Sequence, residues 1–192
     1  MVRSFATDPV DPAVVDTIVQ AALRAPSAGN TRGTEWVVLA GEAETSGYWE
    51  ATTDEGWRAL SPRWEGLRRA PVILLSYSSA EAYVSRYAEP DKAGAPPDLG
   101  VDAARWPVPY WTGDAAFGVM TVLLAAVDAG LGACILGNFR GEAGLARALG
   151  VPGTWRLFCA VLLGHPDGND HPSRSLTRAG PQTKGRIHRH SW

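Results

Sequence analysis

Apolar residues recur at helical spacing over 12–25, where Val14, Val15, Ile18, Val19, Ala22 and Leu23 share one face. Asp11 is placed to cap this helix, Pro12 suits its first position, and Pro26 ends it. WVVLA (36–40) reads as a short strand. Residues 41–70 read as an amphipathic helical segment carrying Trp49, Trp57 and Trp64. PVILLSY (71–77) is a continuous apolar run opened by Pro71, the pattern of a strand covered on both faces. A short helix over 79–88 leads into a connection rich in proline, with Pro90, Pro96, Pro97, Pro107 and Pro109. A connection of that length inside a compact domain is usually functional or mobile.

From Asp114 to Ala129 the pattern is helical again but apolar nearly all round, which predicts a helix buried on every side. Gly130 can terminate it. LGACIL (131–136) reads as a strand, 140–149 as a helix stopped by Gly150, and WRLFCAVLLG (155–164) as a further buried strand. No internal repeat is visible. Together these elements predict one mixed α/β domain, with about four core strands around a central buried helix.

A length of 192 residues suits a single domain, and 45% hydrophobic with 20% charged residues argues against a disordered chain. Eighteen basic residues against twenty acidic ones leave no basic excess for nucleic acid. The charge is uneven, however. Arg174, Arg178, Lys184, Arg186 and Arg189 lie beyond residue 170 with no acidic residue among them. The tail is therefore cationic on an acidic body, although a solvated terminus explains such a tail equally well. Cys134 and Cys159 sit in apolar runs and make no disulfide framework, so a reducing compartment is expected. The opening MVRSFATDP has no apolar signal core. The apolar stretch 115–127 is short for a bilayer and is interrupted by Gly118 and Thr121. These features predict a soluble cytoplasmic protein.

Two segments carry candidate chemistry. In APSAGNTRG (25–33), small residues let backbone approach a flat ligand, and Ser27 and Asn30 can hydrogen-bond to polar ring edges or a ribityl chain. An ordinary helix-to-strand turn has the same composition. In GLGACILGNF (130–139) a strand opens at Gly137-Asn138, where a backbone N–H can donate to a ligand, or where the chain simply turns. GHPDGNDH (164–171) offers His165, Asp167, Asp170 and His171 without ligand spacing, so no metal site is expected. No nucleophile–base–acid set is apparent, which points to chemistry borrowed from a cofactor.

In order and spacing these pieces resemble the FMN-dependent nitroreductase family. MVRSFATDPVDPAVVDTIVQAALRAPSAGN resembles its opening. RYAEPDK and WPVPYWTGDAAFGVMTVLLAAVDAGLGACILGNF resemble a branch known mainly from actinobacteria, and LGVPGTWRLFCAVLLGHP and HRHSW continue the likeness. The resemblance implies one α+β domain over 1–192, with a central, mostly antiparallel sheet flanked by helices. It also implies a long buried helix at a homodimer interface and FMN bound there by both chains. The activity implied is hydride transfer from NADH or NADPH through flavin N5 to a nitroaromatic, quinone or related acceptor, with no obligate acid–base side chain. A flavin-storage protein without turnover and a pathway-specific flavin dehydrogenase are the alternatives.

Residue by residue, the resemblance places Arg3 at the FMN phosphate and Pro26, Ser27, Ala28, Gly29 and Asn30 against the flavin and ribityl chain. Arg32 stands where relatives often carry glutamine. Gly137 matches the backbone N–H that approaches flavin N5 and O4, with Leu136 and Asn138 beside it. Arg178 is the best phosphate match in the tail (165–192), and Lys184 and Arg186 lie near Gly180-Pro181, where relatives carry an arginine pair. The family's usual Arg-x-Ser ahead of Arg3 has no counterpart in a sequence that opens at Met1. The proline-rich segment 89–111 is expected to form a loop or a lid, and in the storage alternative a lid that blocks the nicotinamide. Tyr87, Trp106, Tyr110 and Trp111 flank it, and each alone suits core packing, but as a group they could stack on a planar acceptor.

Overall fold

The computed structural model describes residues 1–170 and 187–190. Arg178, Lys184 and Arg186 lie outside the described residues. The chain runs α1 (Pro12–Ala22), β1 (Thr34–Ala40), α2 (Glu42–Thr52), α3 (Glu55–Leu60), α4 (Trp64–Leu67), β2 (Val72–Ser78) and α5 (Ala80–Tyr87). It continues through α6 (Tyr110–Asp128), β3 (Gly132–Leu136), α7 (Glu142–Ala148) and β4 (Arg156–Gly164). Four strands form one antiparallel sheet in the order β1-β2-β4-β3. The architecture is the expected α+β arrangement.

Both faces of the sheet are covered, which is why β2 is buried at every position. Val72 and Leu74 face a layer of α1 and α6, with Val161 and Leu163 of β4 beside them. Ile73, Leu75 and Tyr77 face the opposite layer, with Tyr48, Trp49 and Leu145 from α2 and α7. The N-terminal residues close the outer edge of β3. Val2 N–H donates to the Ala133 carbonyl at 2.9 Å, and Phe5 is fully buried in a bridge to Pro166. Ser4 and Arg69 both donate to Asp167, so the acidic turn after β4 fastens the N-terminus.

Three elements depart from the sequence expectation. Residues 41–70 are three helices rather than one. The Asp54 side chain caps a new helix by accepting from Trp57 N–H at 2.7 Å, and Pro62 bars Ser61 from helical geometry. The connection 89–109 is not structureless, because it winds through three short 3₁₀ turns at Pro90–Lys92, Pro97–Gly100 and Ala103–Arg105.

The third departure is α6, which begins at Tyr110 and spans 19 residues. With a mean hydropathy of 1.3 it is long and apolar enough, by length and composition, to cross a membrane, unlike the shorter stretch read from the sequence. Nor is it buried on every side. Ala115, Gly118, Val119, Val122 and Ala126 pack inward, whereas Phe117, Met120, Leu124 and Val127 are 53%, 52%, 60% and 71% exposed. One sheet can cover only one flank of a helix.

Gly141 sets how α7 docks beside α2. It is left-handed, at φ 77°, and an added Cβ would run into the Ala51 carbonyl oxygen. Gly141→Ala is expected to lower stability by about 2–4 kcal/mol, combining left-handed strain with overpacking. Gly144→Ala, at a helical site with open space around it, should be neutral or stabilising. Urea unfolding of both variants checks this, and equal midpoints would contradict it.

Candidate functional site

The loop between α1 and β1 is the more constrained of the two candidate segments. Gly29, Asn30 and Arg32 are left-handed, with φ of 62°, 54° and 55°. Such backbone costs about 1–2 kcal/mol for a residue other than glycine, so it must be held from outside. Ser27 Oγ accepts from Arg32 N–H at 2.9 Å. Arg86 Nε donates to the Gly29 carbonyl at 3.0 Å, and a Cβ on Gly29 would lie 2.7 Å from the Tyr87 ring. The Ser27 oxygen is thus already an acceptor within the turn, and Asn30 Oδ1 accepts from Arg32 Nε at 3.4 Å.

Asp114, which the sequence reading did not single out, is the anchor beneath this loop. It is 6% exposed at the start of α6. Its Oδ2 accepts from Ala28 N–H at 2.8 Å and from the Tyr83 hydroxyl at 2.6 Å. Burial first, and then the Asp114 hydrogen bond and charge, push the Tyr83 pKa up, so the phenol keeps its proton for this bond. Pro26, Ser27, Arg32, Trp36 and Asp114 line a cleft of about 220 Å³, and the Trp36 indole N–H is buried there without a partner.

The second segment follows β3. Leu136, Gly137 and Asn138 open a cleft of about 270 Å³ whose other walls include Tyr48, Trp49 and Trp57. Asn138 Nδ2 donates to the Tyr48 hydroxyl at 3.0 Å, which fixes the amide and leaves its Oδ1 buried without a partner. Burial raises the Tyr48 pKa, with the Asn138 bond working against it. The backbone N–H groups of the turn are the donors such a cleft offers to the acceptor edge of a flat ligand. Of these walls the sequence offered only the unusual tryptophan density of 41–70.

The single chain does not bring the two segments together. The loop enters β1, at one edge of the sheet, and lies in the α6 layer; the Gly137 turn leaves β3, at the other edge, beside α2. Three strand spacings, roughly 14 Å, separate the two edges. Both lie at the same end of the sheet, since Thr34 pairs with Ser78, Ser78 with Arg156, and Leu136 with Ala160. Arg3 shares the β3 edge with Gly137. It is half-buried next to the start of β3, and its N–H donates to Asp170 at 3.1 Å.

The lid aromatics do assemble, but around Trp106 rather than around a void. Trp106 is 8% exposed and donates from Nε1 to the Leu99 carbonyl at 3.0 Å. Tyr87, Tyr110 and Trp111 meet it edge-on at 4.7, 5.9 and 6.0 Å. Trp106 therefore packs the lid, while Trp111 lines a cavity of about 570 Å³ with Val84, Asp102, Arg156 and Phe158. Arg86 clamps the lid to the loop through Asp91 at 2.6 Å and Glu89 at 2.8 Å. Both cysteines are buried free thiols, and burial pushes Cys159 up to about 12. Among the described residues no group of three His, Cys, Asp or Glu could hold a metal.

Asp114→Asn keeps an acceptor for both donors, whereas Asp114→Ala leaves Ala28 N–H and Tyr83 OH unpaired at about 1–3 kcal/mol each. Amide exchange at Ala28 should accelerate strongly in the alanine variant and little in the asparagine variant. Equal acceleration in both would assign the role to charge instead.

The model of the nitroreductase family matches residues 1–165. Among solved structures, nitroreductase CinD from Lactococcus lactis, in complex with nicotinic acid, aligns with a TM-score of 0.71 at 18% identity, over 93% of each chain. An FMN-dependent nitroreductase from Clostridium difficile aligns at 0.68 and 17% identity, over 100% of this chain and 94% of that one. A nitroreductase-type protein from Desulfovibrio desulfuricans, in complex with FMN, aligns at 0.63 and 24% identity, over 90% and 84%. These structures share the fold, and because the family model spans the sheet, α6 and both candidate segments, the chain belongs to the nitroreductase family.

Proposed function

We propose that the protein is an FMN-dependent oxidoreductase that passes hydride from NADH or NADPH to a nitroaromatic, quinone or related small acceptor. The observation that carries this reading is the cleft at the end of β3. There the Gly137 turn and Asn138 line an aromatic-walled space, which suits the polar edge of a flavin. When bound, FMN supplies hydride acceptance and donation at its N5. The actinobacterial branch that the middle of the chain resembles is part of the same reading.

The chain's own residues bind, orient and exclude water. Gly137 N–H would donate to the polar edge of the bound ring and stabilise negative charge there, as preorganised backbone donors do. Asn138, fixed by Tyr48, would hold the turn in place beside the ring. Leu136, Trp49 and Trp57 keep the ring dry. Arg3 holds the phosphate from the β3 edge, with Arg178, Lys184 and Arg186 of the tail as further cations. Pro26, Ser27, Ala28, Gly29, Asn30 and Arg32 pack against ring and ribityl chain.

The loop and the turn lie too far apart in one chain to grip one ring, so the reading requires a homodimer. Phe117, Met120, Leu124 and Val127 form the apolar stripe on which the second copy would sit, in an isologous contact. The protein is placed in the cytoplasm because its buried thiols suit a reducing compartment. A storage protein without turnover is the second reading. The clamp of Arg86 on Asp91 and Glu89, which ties lid to loop, favours it by offering a way to shut out the nicotinamide.

An anaerobic visible spectrum separates the readings. The purified protein should carry about one FMN per chain, released on denaturation, and NADH or NADPH should bleach it within the mixing time of a cuvette. A folded protein that stays colourless with excess FMN contradicts the flavin, and a yellow protein that neither nucleotide bleaches supports storage.

A further inference from the structure

The tryptophans of α2–α4 are not only filling. Trp49 is 5% exposed and lies between two clefts: it lines the Gly137 cleft on one side and, with Trp64 and Arg58, a surface cleft on the other. Trp49 and Trp64 rings meet edge-on with centroids 5.2 Å apart, at 88°. Trp57 reaches Trp64 at 6.0 Å, and Tyr48 reaches Trp49 at 4.9 Å. Indole can lose one electron without losing a proton at the same time, and rings at this separation exchange electrons easily.

We infer that Trp49 and Trp64 form a one-electron path from the flavin cleft to the protein surface, driven when the bound flavin is excited by blue light. The inference rests on the FMN reading above. With FMN bound in the cleft and excited, Trp49 would give up one electron to it and become a radical cation. The Trp49 indole N–H is buried with no acceptor, so the cation cannot shed its proton in place. Trp64 then gives its electron to Trp49. Trp64 is half-buried on the surface cleft, where water can take its indole proton. The Arg58 guanidinium, 5.2 Å over the Trp64 ring, disfavours a second positive charge and so speeds that proton loss. A thiol in solution returns one electron and one proton to the Trp64 radical. In sum the flavin gains one electron, one proton passes to water, each thiol becomes a thiyl radical that pairs with another to a disulfide, and the protein ends unchanged.

Tyr48 does not compete for the hole. Oxidising a phenol requires losing its proton, burial raises its pKa, and its oxygen faces the donor Asn138 Nδ2 rather than a base.

Flash photolysis of the FMN-loaded protein, with flavin fluorescence alongside, tests the path. The wild type should show quenched flavin fluorescence and a long-lived neutral indole radical, and should photoreduce steadily when a thiol is present. Trp64→Phe should keep the quenching and lose the long-lived radical, because the hole on Trp49 then recombines. Trp49→Phe should raise flavin fluorescence several-fold and lose the radical. A long-lived radical that survives Trp64→Phe overturns the inference, as does loss of the radical in Trp57→Phe with its retention in Trp49→Phe. Should Trp49→Phe fold poorly, the Trp64→Phe result decides alone. A protein that binds no FMN overturns both this inference and the proposed function; a yellow protein with unquenched flavin overturns the path only.

Discussion

Helix α6 has apolar residues on two flanks and a sheet on only one. Its inner stripe, from Ala115 to Ala126, is what the β-sheet was built to receive, and small residues such as Gly118 let it lie close. Its outer stripe presents Phe117, Met120, Leu124 and Val127 to water in the single chain. Burying such side chains is worth about 1.5–3 kcal/mol each, a drive large enough to offset much of the cost of association. The same helix begins with Tyr110 and Trp111 in the lid cluster and carries Asp114 beneath the left-handed loop. The exposed apolar stripe, the aromatic cluster and the loop anchor are therefore all carried by one element.

The loop illustrates how the fold holds backbone in an unfavourable shape. Three left-handed residues within four positions would relax if free. They are fixed from three sides by Asp114 on α6, by Arg86 and Tyr87 on α5, and by the loop's own Ser27. Arg86 also pairs with Glu89 and Asp91, so one guanidinium ties the segment after α5 to the Gly29 carbonyl. Strain of this kind is found where a site needs a preset shape.

Much of the scaffold was legible in the sequence because burial imposes simple patterns. The unbroken apolar run of β2 announced a strand covered on both faces, and Asp11-Pro12 marked the start of α1. The family resemblance, not turn composition, is what pointed to a flavin at these two segments. What stayed hidden depends on tertiary placement. Asp114 looked like the polar end of an apolar helix, and nothing local says that it caps a loop 86 residues away. Asp54 and Pro62 did divide 41–70, but the tryptophan pattern masked the breaks. Periodicity that is apolar all round does not say which flank the sheet covers, and in the single chain only the stripe from Ala115 to Ala126 is buried. Above all, no local signal reveals that the loop and the Gly137 turn end at opposite edges of the sheet.

That separation makes the central claim directly testable by complementation. A loop-defective chain, Gly29→Val, and a turn-defective chain, Gly137→Val, are each expected to lose FMN when expressed alone. If every site takes its loop from one copy and its turn from the other, a mixed dimer contains one site built from two intact halves. Co-expression with separate affinity tags, followed by isolation of the mixed species, should then recover about one FMN per dimer and NAD(P)H-dependent bleaching. A mixed dimer that remains colourless, while the wild-type dimer is fully loaded, would contradict a site shared between chains.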